Sequence, residues 1–139
     1  MNLESNDITK YENFLEKVLQ KDLKQLIDKR QEILIKINEI QRLRRNISLF
    51  SAMKLSELNT SIDLGCDVYI QANIPDITMV FVELAFGFFL ELKLDEIPYI
   101  LDLKEDLEYM KLDILNDKIA TIKARIKVFS EAISFLSFN

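Results

Sequence analysis

Apolar residues recur at two different spacings along these 139 residues, and the change of spacing divides the chain into three. From Leu19 an alternating four–three step picks out Leu19, Leu23, Leu26, Arg30, Ile33, Ile37, Ile40, Arg44 and Ile47. Seven of those nine positions are apolar, which marks a coiled-coil seam rather than a broad globular face. Upstream, Ile8, Tyr11 and Leu15 keep helical spacing, but the phase shifts between Leu15 and Leu19. No glycine or proline interrupts this stretch. Asn6 or Asp7 can cap its start by accepting from free backbone N–H groups. The pattern predicts one long helix over residues 6–56.

A second long helix is predicted over 95–138. Asp95 and Glu96 suit a positive helix N-terminus, and Pro98 is tolerated in a first turn, where N–H groups have no intrahelical partner. Its seam is expected at Ile100, Leu103, Leu107, Met110 and Ile114, then, after a slip of one, at Leu115, Ile119, Ile122, Ile126, Phe129, Ile133 and Leu136. Apolar area left in water costs about 25 cal/mol per Å², so two seams joined by a compact insert should fold back as an antiparallel hairpin.

Residues 58–94, the insert, alternate instead. Both glycines of the chain, Gly65 and Gly87, lie here, with Pro75. Val80, Val82 and Leu84 alternate before Gly87, and Phe88, Leu90 and Leu92 after it. A two-residue turn would set Val82 against Glu91. A three-residue turn, Ala85-Phe86-Gly87, sets Leu84 against Phe88, Val82 against Leu90 and Val80 against Leu92. The longer turn is preferred, because a slip of one residue exposes the whole apolar face, and Gly87 can take the left-handed last position. A first hairpin is expected from a strand at 61–63, a turn at Leu64-Gly65-Cys66, and a strand at 67–74 carrying Val68, Ile70, Ala72 and Ile74. Cys66 is expected to pack in that turn rather than act as a redox switch.

The fold class so predicted is α+β, mainly α: a long antiparallel coiled-coil hairpin with two β-hairpins inserted at the bend, one domain over residues 1–139. Two short hairpins do not make a stable sheet alone in water, and their outer strands leave backbone groups unpaired. The insert is therefore expected to be an oligomerisation platform, with strands from other subunits added at its edges. Ile62, Val68, Ile70, Val80, Val82, Leu84, Phe88, Leu90 and Leu92 are its candidate contact positions, and Gly65 and Gly87 its turns.

Composition narrows the chemistry. The sequence contains no histidine, so neither a Ser-His-Asp unit nor a Cys2His2 zinc site can be built. There is no EF-hand loop and no glycine-rich phosphate loop. The acid pairs Asp102/Asp106 and Glu105/Glu108 sit at helical spacing and read as a solvated face. Catalysis is not expected, nor any cofactor or metal. A formal charge of −5 argues against direct nucleic-acid binding, which needs a concentrated basic face. Arg42, Arg44 and Arg45 read as a solvated face or as interhelical ion pairs. No apolar run approaches the ~20 residues that span a bilayer, so no membrane association is expected. The opening residues lack the basic and apolar regions of a signal peptide. One cysteine suits a reducing compartment.

Several residues resemble one family. Asp63-Leu64-Gly65-Cys66, Pro75-Asp76, Gly87-Phe88-Phe89-Leu90-Glu91-Leu92 and Ile122-Lys123-Ala124 are similar to a prefoldin-like branch of the prefoldin α-type subunits, over residue 58 to the end. The first helix matches in pattern only. Lys93 departs from the family, which often has a capping threonine there, and so does Pro98. The resemblance implies a hexamer of two α-type and four β-type subunits whose strands form a double barrel. It implies coiled coils that hold unfolded client proteins without ATP, in the cytoplasm and, for this branch, also the nucleus. The branch is further linked to chaperone adaptors and to transcriptional regulation, so the alternative is a coiled-coil adaptor or transcriptional cofactor. Client contacts are expected where the two chain ends meet, among Ile8, Tyr11, Phe14, Phe129, Ile133, Phe135 and Phe138. Phe129 and Ile133 read as the last turns of the seam. Tyr11, Phe14, Phe135 and Phe138 are the candidate client contacts; for the three phenylalanines, which lie off the seam, both readings stand.

Overall fold

The computed structural model describes residues 2–84 and 86–137, with side chains from Asp7 onward. Ala85 of the second turn and Phe138 lie outside the described residues. Helix α1 (Asn2–Phe14) runs through a π-helical turn (Leu15–Gln20) into α2 (Lys21–Ala52). Four strands follow, β1 (Leu58–Asp63), β2 (Tyr69–Ile74), β3 (Met79–Glu83) and β4 (Phe89–Lys93), and then α3 (Ile97–Ser137). The strands make two separate antiparallel pairs, β1–β2 and β3–β4.

Three features of the first helical stretch explain or correct the sequence pattern. Helix α1 begins at Asn2, so Asn6 and Asp7 lie within it rather than at its start. A π-helical turn holds one more residue than an α turn. That extra residue is the physical source of the phase shift near Leu15, and it keeps Leu19 buried. The helix then stops at Ala52 rather than Ser56, without a glycine. Lys54 takes a left-handed φ of +49°. Its N–H reaches the Ser51 carbonyl at 3.2 Å while the Leu55 N–H reaches that of Phe50 at 3.3 Å. This pair of bonds is a Schellman ending, which satisfies carbonyls the helix would otherwise leave open.

The chain divides into two compact units. In the first, Met1–Asn38 with Asp106–Asn139, the buried residues are Leu19, Ile37, Leu115 and Ile119. Leu23, Leu26, Ile33, Leu112, Ile122 and Ile126 are half-buried beside them. In the second, Glu39–Glu105, Ile47, Ile97 and Leu101 form the core, and Ile40, Phe50, Val80, Val82, Leu92 and Leu94 pack against it. All nine seam positions expected from Leu19 to Ile47 are buried or half-buried.

On α3 the expected seam holds at Ile100 and from Leu115 to Ile133, and fails between those stretches and at Leu136, which is exposed. Leu103, Leu107, Met110 and Ile114 are exposed. The covered positions that lead into Leu115 with no slip are Ile97, Leu101, Glu105, Glu108 and Leu112, with Ile100 and Lys104 half-buried beside them. The reason is polar. Helix α2 brings Gln41 and Arg44 to the seam, and Glu105 answers both. Gln41 Nε2 donates to Glu105 Oε1 at 2.8 Å, and the Arg44 guanidinium pairs with Glu105 and, at 2.6 Å, with Asp102 Oδ1. The Gln41 hydrogen bond, against the opposing effect of burial and with help from Arg44, holds the Glu105 carboxyl below the usual carboxylate range. Glu105 and Glu108 are thus covered groups of the helix pair and not a solvated face, and Arg44 is an interhelical ion-pair donor.

Candidate assembly interface

Strand register follows from which residues tolerate exposure. In the second hairpin Val80 lies opposite Leu92 and Val82 opposite Leu90. The Leu84 N–H donates to the Phe88 carbonyl at 2.9 Å, so Leu84 and Phe88 extend the same ladder just beyond the strand ends. This is the alignment of a three-residue turn. Phe86 and Gly87 close it with φ of +53° and +77°. A Cβ on Gly87 would meet nothing within 4 Å, so backbone conformation alone asks for glycine there.

The first hairpin corrects the expected turn. Its strands pair from Leu58 opposite Ile74 to Asp63 opposite Tyr69, so β1 starts three residues before Ser61. The Leu64 N–H still donates to the Val68 carbonyl at 2.8 Å, which leaves Gly65, Cys66 and Asp67 as the turn. Val68 therefore stands at the end of the ladder rather than inside β2, and Asp67 belongs to the turn. Cys66 and Asp67 both have positive φ, +53° and +60°, and Val68 N–H closes on the Gly65 carbonyl at 3.1 Å. That is type I′ geometry, whose twist matches the twist of a hairpin. Asp63 Oδ1 accepts from the Gly65 N–H at 2.8 Å and fixes the entry to the turn. Cys66 is exposed instead of packed.

The two apolar faces meet different fates. In the second hairpin Val80, Val82 and Leu92 pack on the core formed by Ile47, Ile97 and Leu101. Lys104 Nζ donates to the Glu83 carbonyl and ties α3 to the end of β3. Leu84, Phe88 and Leu90 on that same face stay exposed. In the first hairpin Ile62, Leu64, Val68, Ile70 and Ile74 share one face, and all five are exposed. The other face of the second hairpin also carries apolar groups that sequence reasoning passed over, Met79, Phe81 and Phe89, all exposed. The available signal was Phe81 and Phe89 standing at positions where alternation called for polar residues. The opposite face of the first hairpin is polar apart from Tyr69, with Asn73 Nδ2 bonded to Asn59 Oδ1 at 2.7 Å.

Local caps hold the insert in place. Asp76 Oδ1 accepts from the Thr78 N–H and hydroxyl at 2.9 and 2.7 Å. Those bonds, the backbone one foremost, hold its carboxyl below the usual range. At the start of α3, Lys93 offers no side-chain oxygen. Half of a capping box survives, because Glu96 Oε2 accepts from the Lys93 N–H at 2.9 Å and the Glu96 N–H donates to the Lys93 carbonyl at 3.0 Å.

Elsewhere, Tyr11 and Phe14 come together on the half-buried Phe129, with ring centroids 6.1 and 5.2 Å apart and tilted planes. Ile8 and Ile133 are half-buried. Phe135 is exposed. Among the described residues no group of three or more Cys, Asp or Glu side chains could hold a metal ion, and no helix is long and apolar enough to cross a membrane.

Paired long helices that carry two small β-hairpins with open edges define an assembly subunit. The Prefoldin subunit family model matches residues 19–137, and the chain belongs to that family. Protein UXT of Homo sapiens is 33% identical over 126 residues, which are 91% of this chain and 80% of that protein. The Protein UXT homolog of Nematostella vectensis is 34% identical over 123 residues, 87% of this chain and 77% of its own. In fold, the chain is similar to the filamentous PFD of Methanocaldococcus jannaschii seen by cryo-electron microscopy, with a TM-score of 0.67 at 15% identity over 86% of this chain and 98% of that one. Membership in this family implies assembly with other prefoldin-type subunits.

Proposed function

We propose that this chain is an α-type subunit of a prefoldin-like hetero-oligomeric co-chaperone, a non-enzymatic component that holds unfolded proteins without ATP and hands them on. It takes one of two α-type places beside four β-type subunits and works in the cytoplasm and the nucleus. The observation that carries the reading is the first hairpin, whose apolar face is exposed at Ile62, Leu64, Val68, Ile70 and Ile74 and whose two strands pair only with each other among the described residues. Burying such a face against neighbouring strands would remove both the exposed apolar area and the unpaired backbone groups. The aromatic group of Tyr11, Phe14 and Phe129, with the exposed Phe135, supplies adaptable apolar side chains for client contact.

Co-expression with β-type prefoldin subunits, followed by native mass measurement and an aggregation assay on a denatured client, tests this. The expected result is a hexameric mass and suppressed aggregation. Replacing Phe14 and Phe135 with serine should leave the mass unchanged and weaken suppression. Assembly with no client protection would favour a stable adaptor instead. A chain that stays monomeric beside β-type subunits would overturn the reading.

A further inference from the structure

Five large apolar side chains stand on the solvent side of α3: Tyr99, Leu103, Leu107, Met110 and Ile114, each between 51% and 67% exposed. At about 100° per residue they fall within an arc of about 80° and run for about 22 Å along the axis. The covered side chains of the same stretch, Ile97, Leu101, Glu105, Leu112 and Leu115, centre about 160° away. Helix α3 thus carries two apolar seams on opposite faces, and only one is used within the chain. The steps between the outer positions are four, four, three and four residues. That narrow four–three stripe is how one helix receives another.

Charges beside the stripe specify the partner. On one flank Lys104 is engaged by the Glu83 carbonyl, and Lys111 by Glu108 Oε1 at 2.6 Å. On the other flank stand Asp106 and Asp113, exposed and without an ion-pair partner among the described residues. We infer that the stripe is a docking seam for an amphipathic helix of a different polypeptide. That helix carries its own four–three apolar seam, with lysine or arginine along the side that meets Asp106 and Asp113. A second copy of this chain is a poor occupant. Two such stripes packed antiparallel set acidic row against acidic row, and packed parallel they require Lys104 and Lys111 to leave their present partners. The seam is distinct from the open strand edges, so strand-mediated assembly does not depend on it.

Two fluorescein-labelled synthetic helices of about three heptads, with leucine along the seam, test the inference by anisotropy against the full chain purified with its partner subunits. One probe is flanked by lysine and the other by glutamate. The lysine probe should bind about tenfold tighter or better at low salt. The double variant L107K/M110K changes only exposed positions. It should retain its helicity and native mass while losing the binding. D106K/D113K should reverse the order of the two probes. Equal binding of both probes, an indifferent L107K/M110K, or an unchanged order in D106K/D113K would overturn the proposal. Self-association of the chain that disappears in L107K/M110K would reassign the stripe to a second copy. Because native mass reads strand assembly separately, failure here and failure of the co-chaperone reading are distinguishable.

Discussion

The two β-hairpins are near equals in length and differ in what lies beneath them. The second lays Val80, Val82 and Leu92 on a core that includes Leu101, a side chain only 2% exposed. The first leaves Ile62 and Ile70, opposite each other in its ladder, 50% and 52% exposed. One hairpin is therefore part of the subunit's own fold, and the other, half-buried only at Leu58 and Ala72, leaves the rest of its apolar face in solvent. The lesson is about where cooperativity stops. A strand pair anchored on buried helix residues shares their stability, whereas a hairpin held by its own ladder opens locally at low cost.

The heaviest blow to the anchored side is Leu101→Ala. Truncating a fully buried leucine should cost about 2–5 kcal/mol, read as a shift in the chemical denaturation midpoint. Hydrogen exchange should show β3 and β4 amides losing protection with the helices, while β1 and β2 amides in the isolated chain, already weakly protected, change little. Equal loss in both hairpins would break the comparison. Next in size is Glu105→Gln, which removes the ion pair with Arg44 in the same helical seam and should cost about 1–3 kcal/mol. Here pH adds a check. The folded carboxyl of Glu105 is held below its ordinary value of 4.5. Its contribution is therefore complete above that value and fades as pH falls through the lowered folded one. The Tm of the natural chain should drop on acidification from about pH 6 to about pH 3, and the variant should start lower and fall less. Asp76, lowered in the same direction by Thr78, leaves the variant some acid dependence.

The fold was largely legible because its two spacings have direct physical causes. The α2 seam and the second-hairpin register both follow from keeping apolar groups together, and both stand in the structure. The misreadings share another cause. Leu103, Leu107, Met110 and Ile114 looked like the better seam because they are more apolar than Glu105 and Glu108. Pattern matching has no way to weigh a buried carboxylate that accepts from Gln41 and pairs with Arg44. In the same way, left-handed Lys54, Cys66, Asp67 and Phe86 replace the glycines a sequence reader looks for. Their conformations are imposed by hydrogen bonds that form only once the neighbouring elements exist. As for the candidate site, alternation found the exposed face of the first hairpin. It could not tell that Val80, Val82 and Leu92 are covered by their own helices, because that depends on contacts distant in sequence.

Turn substitutions sharpen the contrast with a smaller effect. Gly87 and Gly65 both have positive φ, +77° and +92°, with open space where a Cβ would stand. Alanine at either position carries only the left-handed backbone penalty, about 1–2 kcal/mol. At Gly87 that penalty should appear in the global denaturation midpoint, because the second hairpin unfolds with the core. At Gly65 it should instead open the first hairpin locally, raising exchange in β1 and β2 with little movement of the midpoint. A full midpoint shift from Gly65→Ala would mean the first hairpin is more firmly coupled than its exposure indicates.

The smallest stability effect carries the most information about assembly. Ile70→Ser and Val82→Ser both replace a branched apolar side chain with a hydroxyl in the middle of a strand. Val82 lies against the core, so its replacement should cost about 1–2 kcal/mol in the isolated chain. Ile70 is half exposed, and its replacement should fall within about 0.5 kcal/mol there. With β-type subunits present the order should invert. Ile70→Ser should reduce the assembled mass in native spectra, because a buried serine hydroxyl facing a neighbour's apolar strand lacks a partner. Val82→Ser, its cost spent inside the subunit, should still assemble wherever the chain remains folded. If Ile70→Ser assembles as well as the natural chain, the exposed face of the first hairpin is not the surface that joins subunits, and the open strand edges must carry assembly through backbone pairing alone.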